Sequence, residues 1–384
     1  MRIEDFTASK PGRFAKTPEG ADAFVPNPLP PKLELSWSLV NALSQADRAL
    51  SELAGVARTL PNPHLLIGPF IRREAVLSSR IEGTRASLSD LFFFEAGGER
   101  DDEANDVREV ANYVKALNYG LNRLKDLPVS LRLIREMHQH LLEGVRGERL
   151  TPGEFRQFQN WIGPPGGDLW SATYVPPPVI EMHQSLSDWE KYLHTDSELP
   201  WLIRLALIHY QFEAIHPFVD GNGRLGRLLI TLMICHQGLL PQPLLYLSAY
   251  FEQYRSGYYE LLLTVSQKGK WDEWIMFFLR GVEMQSQDAV KRAKRLLDLW
   301  QNYRRQVQAT RASASPLILL DSLISHPAIT NGMAANILGV THRAARLNMN
   351  KLVELGIVKE ITSRQRNQIF VATEIINILE AREA

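Results

Sequence analysis

The sequence predicts a mainly α-helical bundle with a small β-hairpin, followed by a C-terminal winged helix-turn-helix domain. Three observations carry this reading. Apolar residues recur at three- and four-residue spacing through seven long segments. Aromatic residues flank a Gly/Pro turn between residues 153 and 175. Beyond residue 313 the pattern changes to three short helical segments followed by two short extended ones.

The opening stretch, Met1 to Lys32, contains Pro26, Pro28, Pro30 and Pro31 and reads as an extended arm that wraps the body or stays mobile. Helices are expected over Ser36 to Leu53, Pro69 to Glu82, Asn105 to Arg123, Leu131 to Leu142, Ile180 to His194, Pro200 to Ile215 and Arg224 to His236. Pro200 suits a first turn, Pro217 ends the helix before it, and Gly238 caps the helix that follows. Gly97 to Asp102 is a polar loop. The run Gly153 to Gly163, then Pro164, Pro165, Gly166 and Gly167, then Ala172 to Val175, reads as the hairpin. Lys291 to Arg311, with seven basic residues and one acidic, reads as a solvated connector helix. The expected organisation is an arm and helix over 1–64, a core over 65–285, a connector over 286–312 and a winged-helix-like domain over 313–384.

Composition excludes some function classes. The chain has 384 residues, of which 45% are hydrophobic, enough for substantial cores. Lys plus Arg and Asp plus Glu both number 43, so no global field calls for nucleic acid or membrane. The single cysteine, Cys235, makes no internal disulfide. The longest uncharged stretch, Leu228 to Phe251, is interrupted by His236, Gln237, Gly238, Pro241 and Pro243, and no secretory segment opens the chain. These features give the expectation of a cytoplasmic protein without membrane partners.

The chemistry concentrates in His216-Pro217-Phe218-Val219-Asp220-Gly221-Asn222-Gly223-Arg224-Leu225-Gly226-Arg227. Asn222 to Arg224 fall at a helix N-terminus, where unpaired N–H groups and the macrodipole attract anions. Gly221 and Gly223 permit positive φ and close approach of amides to phosphate oxygens. Arg224 and Arg227 share a helix face. Asp220 beside such a nest suits a Mg²⁺ held by one carboxylate plus phosphates. His216 is the natural base. His209 and His216 lie about two turns apart, which speaks against zinc shared with Asp220. No Gly-Lys-Ser/Thr follows the glycines, so this is not a Walker loop.

These residues resemble the signature H-x-F-x-D/E-G-N-G-R-x-x-R of the Fic (filamentation induced by cAMP) family, matched from His216 to Arg227. The resemblance covers roughly Leu65 to Leu279 and implies a protein adenylyltransferase that moves AMP from ATP to a side-chain hydroxyl. It implies that His216 deprotonates the hydroxyl and that Asp220 holds Mg²⁺. Asn222, Gly223 and Arg224 would bind phosphates, Arg227 would grip the γ-phosphate, and Phe218 would anchor the loop. Transfer of UMP, phosphocholine or phosphate is also known in the family, so the nucleotide stays open. A homodimer and a flap over 153–175 that docks the target protein are further implications.

A second segment, Ser78-Ser79-Arg80-Ile81-Glu82-Gly83, resembles the family's inhibitory motif S/T-x-x-x-E-G/N and places the chain in its N-terminal, self-inhibited class, with an inhibitory helix over 69–83. Ser78 and Glu82 stand one turn apart on one face, and Gly83 stops the helix. A carboxylate delivered to Arg227 would take the place of the γ-phosphate. Glu82 positioning a water for AMP removal is an open alternative. Of the tyrosines in Tyr254-Arg255-Ser256-Gly257-Tyr258-Tyr259, Tyr259 is the expected adenine-packing residue.

In the C-terminal part, Ala334 to Thr341 is similar to the helix-turn of winged-helix proteins, with Gly339 in the turn and Thr341 as cap. His342, Arg343, Arg346 and Asn350 form a polar stripe, and Arg364 and Arg366 lie in the wing, so DNA contact through Arg343 and Arg346 is one reading. Seven Lys/Arg against six Asp/Glu from Ser313 to Ala384 supply little nonspecific attraction, which keeps a docking or dimerising module in view. A nucleotide-sensing regulator that transfers nothing is the competing functional class.

Overall fold

The computed structural model describes all residues except 7–10, 60–63, 99–103, 146–149, 311–313, 363–366 and 382–384. In chain order the described residues form β1 (Gly12–Lys16), β2 (Asp22–Pro26), α1 (Trp37–Thr59), α2 (His64–Ile81), α3 (Leu88–Glu95), α4 (Ala104–Arg123), α5 (Leu131–Leu141) and α6 (Val179–His194). They continue with α7 (Trp201–Ile215), α8 (Asn222–His236), α9 (Ser248–Gln253), α10 (Arg255–Lys268) and α11 (Trp271–Ala309). The C-terminal elements are α12 (Ser315–Ser325), β3 (Ala328–Thr330), α13 (Asn331–Leu338), α14 (His342–Glu354), β4 (Lys359–Glu360), β5 (Ile369–Val371) and α15 (Thr373–Glu380).

Helix α7 is apolar around almost its whole circumference and is buried at nearly every position, as a central helix must be. Against it pack α6, α8, α10 and α11, and α4 and α5 pack on α8. This sets the ends of α7 and α8, and the loop between them, against α2, α4 and α5.

Three expected helical segments differ in extent. Helix α1 runs on to Thr59, past the expected end at Leu53. Helix α2 begins at His64 rather than Pro69, so the proline sits inside it. A proline in the second turn strips one helical donor from the Leu65 carbonyl, and the Ser325 hydroxyl stands 3.5 Å from that oxygen. Helix α11 starts at Trp271 and runs unbroken to Ala309, so the expected boundary at 285 falls in mid-helix. Its buried face continues through Trp274, Phe278, Val282, Ala289, Ala293, Leu296, Tyr303 and Val307, and α1 lies along it.

The small hairpin is at the N-terminus, not in the flap. Strands β1 and β2 pair antiparallel from Gly12↔Pro26 to Lys16↔Asp22, where an extended arm was expected. Phe6, Phe14 and Phe24 pack ring to ring with centroids 5.4–6.2 Å apart, which makes burying the arm favourable. The segment expected to form a flap hairpin has one isolated bridge, Ile162↔Tyr174, among its described residues. Proline at 164, 165 and 176–178 removes donors that a ladder needs, and side chains of Arg156, Gln159 and Asn160 take up carbonyls in its place. Hairpin and flap are joined: Phe24 N–H donates to Val175 O at 2.9 Å.

The C-terminal elements form an antiparallel sheet ordered β3-β5-β4 beside α12, α13 and α14. Thr330 caps α13 and Thr341 caps α14, and Gly339 between them takes φ +63°. Arg364 and Arg366 lie outside the described residues. Helix α2 packs against both α12 and α15, and Arg73 Nε donates to Leu379 O at 2.9 Å.

Candidate active site

The loop from His216 to Gly221 joins α7 to α8 and is held from three sides. His216 takes φ 49° and ψ 60°, an unusual conformation for a residue with a Cβ, and its N–H still closes α7 on Phe212 O at 3.0 Å. Its carbonyl accepts from Arg156 Nε at 3.1 Å and Asn160 Nδ2 at 3.3 Å. Buried Phe218 stacks on His138 with centroids 3.8 Å apart. His138 Nε2 donates to Asp220 O at 2.9 Å, and its Nδ1 accepts from Gly153 N–H at 2.9 Å. Loop, flap and α5 are thereby one assembly.

The His216 ring has a defined tautomer. Nδ1 faces the Glu213 carbonyl at 3.3 Å, and a carbonyl only accepts, so Nδ1 carries the proton and Nε2 presents a lone pair. Burial pushes the imidazole down to about 4, so at neutral pH it is an uncharged acceptor.

The N-terminus of α8 is open for an anion. It has no side-chain cap, and the N–H groups of Asn222, Gly223 and Arg224 have no hydrogen-bond partner among the described residues. Gly221 has φ +79°, as expected, whereas Gly223 is an ordinary helical residue and owes its identity to space. The Asn222 side chain does not face the anion site: Oδ1 accepts from Phe218 N–H at 2.8 Å and Nδ2 donates to Phe218 O at 2.9 Å. Its backbone amide stays among the unpaired N–H groups, and its side chain braces the loop.

The two arginines point to different partners. Arg224 Nη1 meets buried Glu109 of α4 at 2.9 Å, and Nη2 is 3.5 Å from Asp220 Oδ2. Arg227 Nη2 donates to Glu82 Oε1 at 2.6 Å and to Ser78 O at 3.0 Å, and Nε donates to Ser78 Oγ at 2.9 Å. Ser78, which the motif also offers as a nucleotide-binding residue, is fully buried and its hydroxyl accepts from Arg227 instead. Glu82 follows the last turn of α2, where Gly83 reverses the chain at φ +99°. Asp220 keeps a carboxylate 40% exposed at the loop surface, with Oδ1 accepting from Gly221 N–H at 2.7 Å. Tyr258 is buried with its hydroxyl 2.9 Å from His209 Nε2, while Tyr259 is 42% exposed within electrostatic reach of Glu82 and Arg227.

Two family models match this chain: the Fic/DOC family N-terminal model over residues 40–122 and the Fic/DOC family model over 128–234, which takes in the whole loop and α8 as far as Ile234. The chain carries a Fic domain. The protein named protein adenylyltransferase Fic from Drosophila virilis is 33% identical over 174 residues, 44% of this chain and 32% of that protein. The one from Drosophila willistoni is 31% identical over 174 residues, 44% and 31% of the respective chains. The chain thus spans about a third of the length of these curated relatives. Among solved structures, a Fic family protein from Desulfovibrio desulfuricans G20 aligns over 93% of this chain and 100% of its own, with TM-score 0.57 at 18% identity. A Fic-1 fragment from C. elegans aligns over 67% and 74%, with TM-score 0.51 at 22% identity. At that identity the likeness is one of fold.

Sequence reasoning missed four residues that contact or surround this loop and helix. Glu109, His138 and Arg156 are buried polar groups on other segments, and nothing local marks a glutamate on α4 as the partner of an arginine on α8. Glu213, one turn before His216, was legible by proximity and was passed over because a helical glutamate ordinarily faces water.

Proposed function

We propose that this chain is a self-inhibited protein adenylyltransferase that uses ATP and Mg²⁺ to modify a hydroxyl side chain of a target protein or of itself. The observation that carries this reading is the neutral, oriented His216 imidazole beside an uncapped helix N-terminus, with the Arg227 guanidinium of the same helix already occupied by Glu82. Nε2 takes the proton of the attacking hydroxyl, an oxygen–phosphorus bond forms at the α-phosphorus, and the bond to pyrophosphate breaks. The amides of Asn222, Gly223 and Arg224 cradle the phosphates. Arg227 grips the γ-phosphate once Glu82 has withdrawn, and Tyr259 packs the adenine.

Mg²⁺ fits this donor set in one manner. Asp220, with its carboxylate 40% exposed, would hold the ion by one carboxylate, leaving the other positions for phosphate oxygens and water. When bound, the ion neutralises triphosphate charge.

Target docking falls to the flap. Phe158, Trp161 and Trp170 are exposed on it, 58%, 42% and 66% respectively, an aromatic surface that suits an incoming protein segment. Among the described residues no helix is long and apolar enough to cross a membrane. Self-association as a homodimer is checked by sedimentation of the full chain.

The deciding experiment incubates wild type, Glu82→Gly and His216→Ala with Mg²⁺ and each labelled nucleoside triphosphate, followed by mass spectrometry of modified protein. Labelling by AMP that rises in Glu82→Gly and vanishes in His216→Ala supports the reading. Equal labelling in wild type and Glu82→Gly removes the inhibitory role, and loss of AMP from pre-modified target only when Glu82 is present assigns it to removal.

A second reading concerns α14. Ala345, Met349 and Leu352 are buried on one side, and His342, Arg343, Arg346 and Asn350 are exposed on the other, which favours a DNA-reading helix. Salt-dependent retention on DNA that an Arg343/Arg346 double variant loses supports it. Absence of retention at low salt leaves a protein-docking or dimerising module.

A further inference from the structure

Glu213 reaches into the pocket from the last turn of α7. Its Oε1 is enclosed and has no hydrogen-bond partner among the described residues. It lies over Gly226, where a Cβ would fall 2.2 Å from that oxygen, one residue before Arg227. Arg227 Nη1 is likewise enclosed and without a partner. An acceptor and a cationic donor, both desolvated and both unsatisfied on adjoining positions, make an arrangement that is incomplete as it stands.

We propose that Glu213 is a positioning residue for Arg227, a second carboxylate that takes over the guanidinium when Glu82 is withdrawn. The inference rests on the reading of Arg227 as the triphosphate-gripping arginine and of Glu82 as its inhibitor. The charged and titratable groups around the Glu213 carboxyl are Arg227 from α8, Glu82 from the end of α2, Tyr258 and Tyr259 from α10, and His209 and His216 on and after α7. Burial pushes the carboxyl up to about 8, Arg227 draws it down, and Glu82 pushes it further up. At neutral pH Glu213 therefore keeps its proton while Glu82 occupies Arg227, because burial disfavours its charge and the Glu82 carboxylate adds a like charge nearby. Withdrawal of Glu82 removes the like charge and frees the cation. Glu213 then loses its proton to water and pairs with Nη1, holding the guanidinium toward the phosphate site. Release from inhibition liberates a proton and is favoured as pH rises.

The test uses the full chain as wild type, Glu82→Gly, Glu213→Gln and the double variant. Infrared spectroscopy across a pH series is expected to show a protonated-carboxyl C=O band in wild type at neutral pH. The band should be absent in Glu213→Gln and be lost at lower pH in Glu82→Gly than in wild type. In transfer assays the double variant is expected to show kcat about tenfold or more below Glu82→Gly with a smaller change in KM, partly rescued by Glu213→Asp. Identical titration in wild type and Glu82→Gly, or a double variant with the kcat of Glu82→Gly, overturns the proposal. The infrared arm needs no turnover, so absence of all transfer would remove the adenylyltransferase reading while the coupling of Glu213 to Glu82 is still read.

Discussion

A Cβ placed on Gly223 would fall 2.4 Å from Glu82 Oε1 and 2.9 Å from Arg227 Nη1, so the Glu82–Arg227 ion pair occupies space that only a glycine leaves open. Both obstructing atoms are ends of flexible side chains and yield before the helix does. Gly223→Ala is expected to part the pair while leaving the chain folded, since Ala in a helix interior gains about 0.5–1 kcal/mol over Gly. Hydrogen–deuterium exchange checks this. Amides over 79–84 should exchange faster than in wild type, and an unchanged pattern would mean that the carboxylate sits elsewhere.

The buried pair Arg224–Glu109 predicts a large stability effect. Both side chains are 3% exposed, and Arg224 Nη1 lies 2.9 Å from Glu109 Oε2. Removing the buried carboxylate leaves the cation only the longer contact to Asp220 at 3.5 Å, and breaking a buried pair typically costs about 3–5 kcal/mol. Glu109→Ala should therefore lower the denaturation midpoint much more than a surface substitution, and a denaturant titration measures it. A loss below about 1 kcal/mol would show that Arg224 reaches solvent once released.

Four histidines set the acid limit of the fold. Burial holds His138, His216 and His326 at about 4 and His209 at about 3, below the ordinary 6.5. Below 6.5 the unfolded chain binds more protons than the folded one, so stability falls as pH drops from 6.5, and each loss is complete below the folded value. His138 alone contributes on the order of 3 kcal/mol above that window. Thermal melts should show Tm declining steeply between pH 6.5 and about 4, with a shallower slope in His138→Gln. If His216 is the base of the proposed transfer, that activity should fall on the acid side only as pH approaches 4.

Arg292 joins α11 to α15 near the C-terminus. Its guanidinium donates to the carbonyls of Ile378, Leu379 and Ala381 at the end of α15, where the helix dipole favours a cation, and Nε meets Asp288 at 2.7 Å. Asp288 also lies 3.4 Å from Arg73 of α2. Hydrogen bonds to a charged group contribute about 1.5–3 kcal/mol each, so Arg292→Ala should undock α15 before the rest unfolds. Limited proteolysis is expected to cut within 373–381 in the variant and to spare wild type. Equal resistance would place the strength of this interface in its apolar contacts.

Much of the site was readable from residue order alone. The helix bounds over 104–123, 131–141, 201–215 and 222–236 differ from the expected ones by at most two residues, because periodicity, proline and glycine act within a turn. The position of His216, the uncapped N-terminus after Gly221 and the αL glycine follow from the same local rules. The eight-residue α3 was missed although Ser87 and Asp90 form a capping box, since it is too short to display a face. The N-terminal hairpin was hidden by its prolines, and the flap's prolines were outweighed by its aromatics.

By itself the sequence determined the helices, the loop chemistry and the kind of groups brought to the phosphate site, because each depends on neighbours within a few positions. Tertiary structure decided which way those groups turn. Arg224 meets a carboxylate 115 positions away, Arg227 meets Ser78 and Glu82 at separations of 149 and 145, and Asn222 folds back on its own loop. Such pairings depend on the crossing of α8 with α2 and α4. That crossing is fixed by how whole apolar faces pack, which no single stretch of sequence contains.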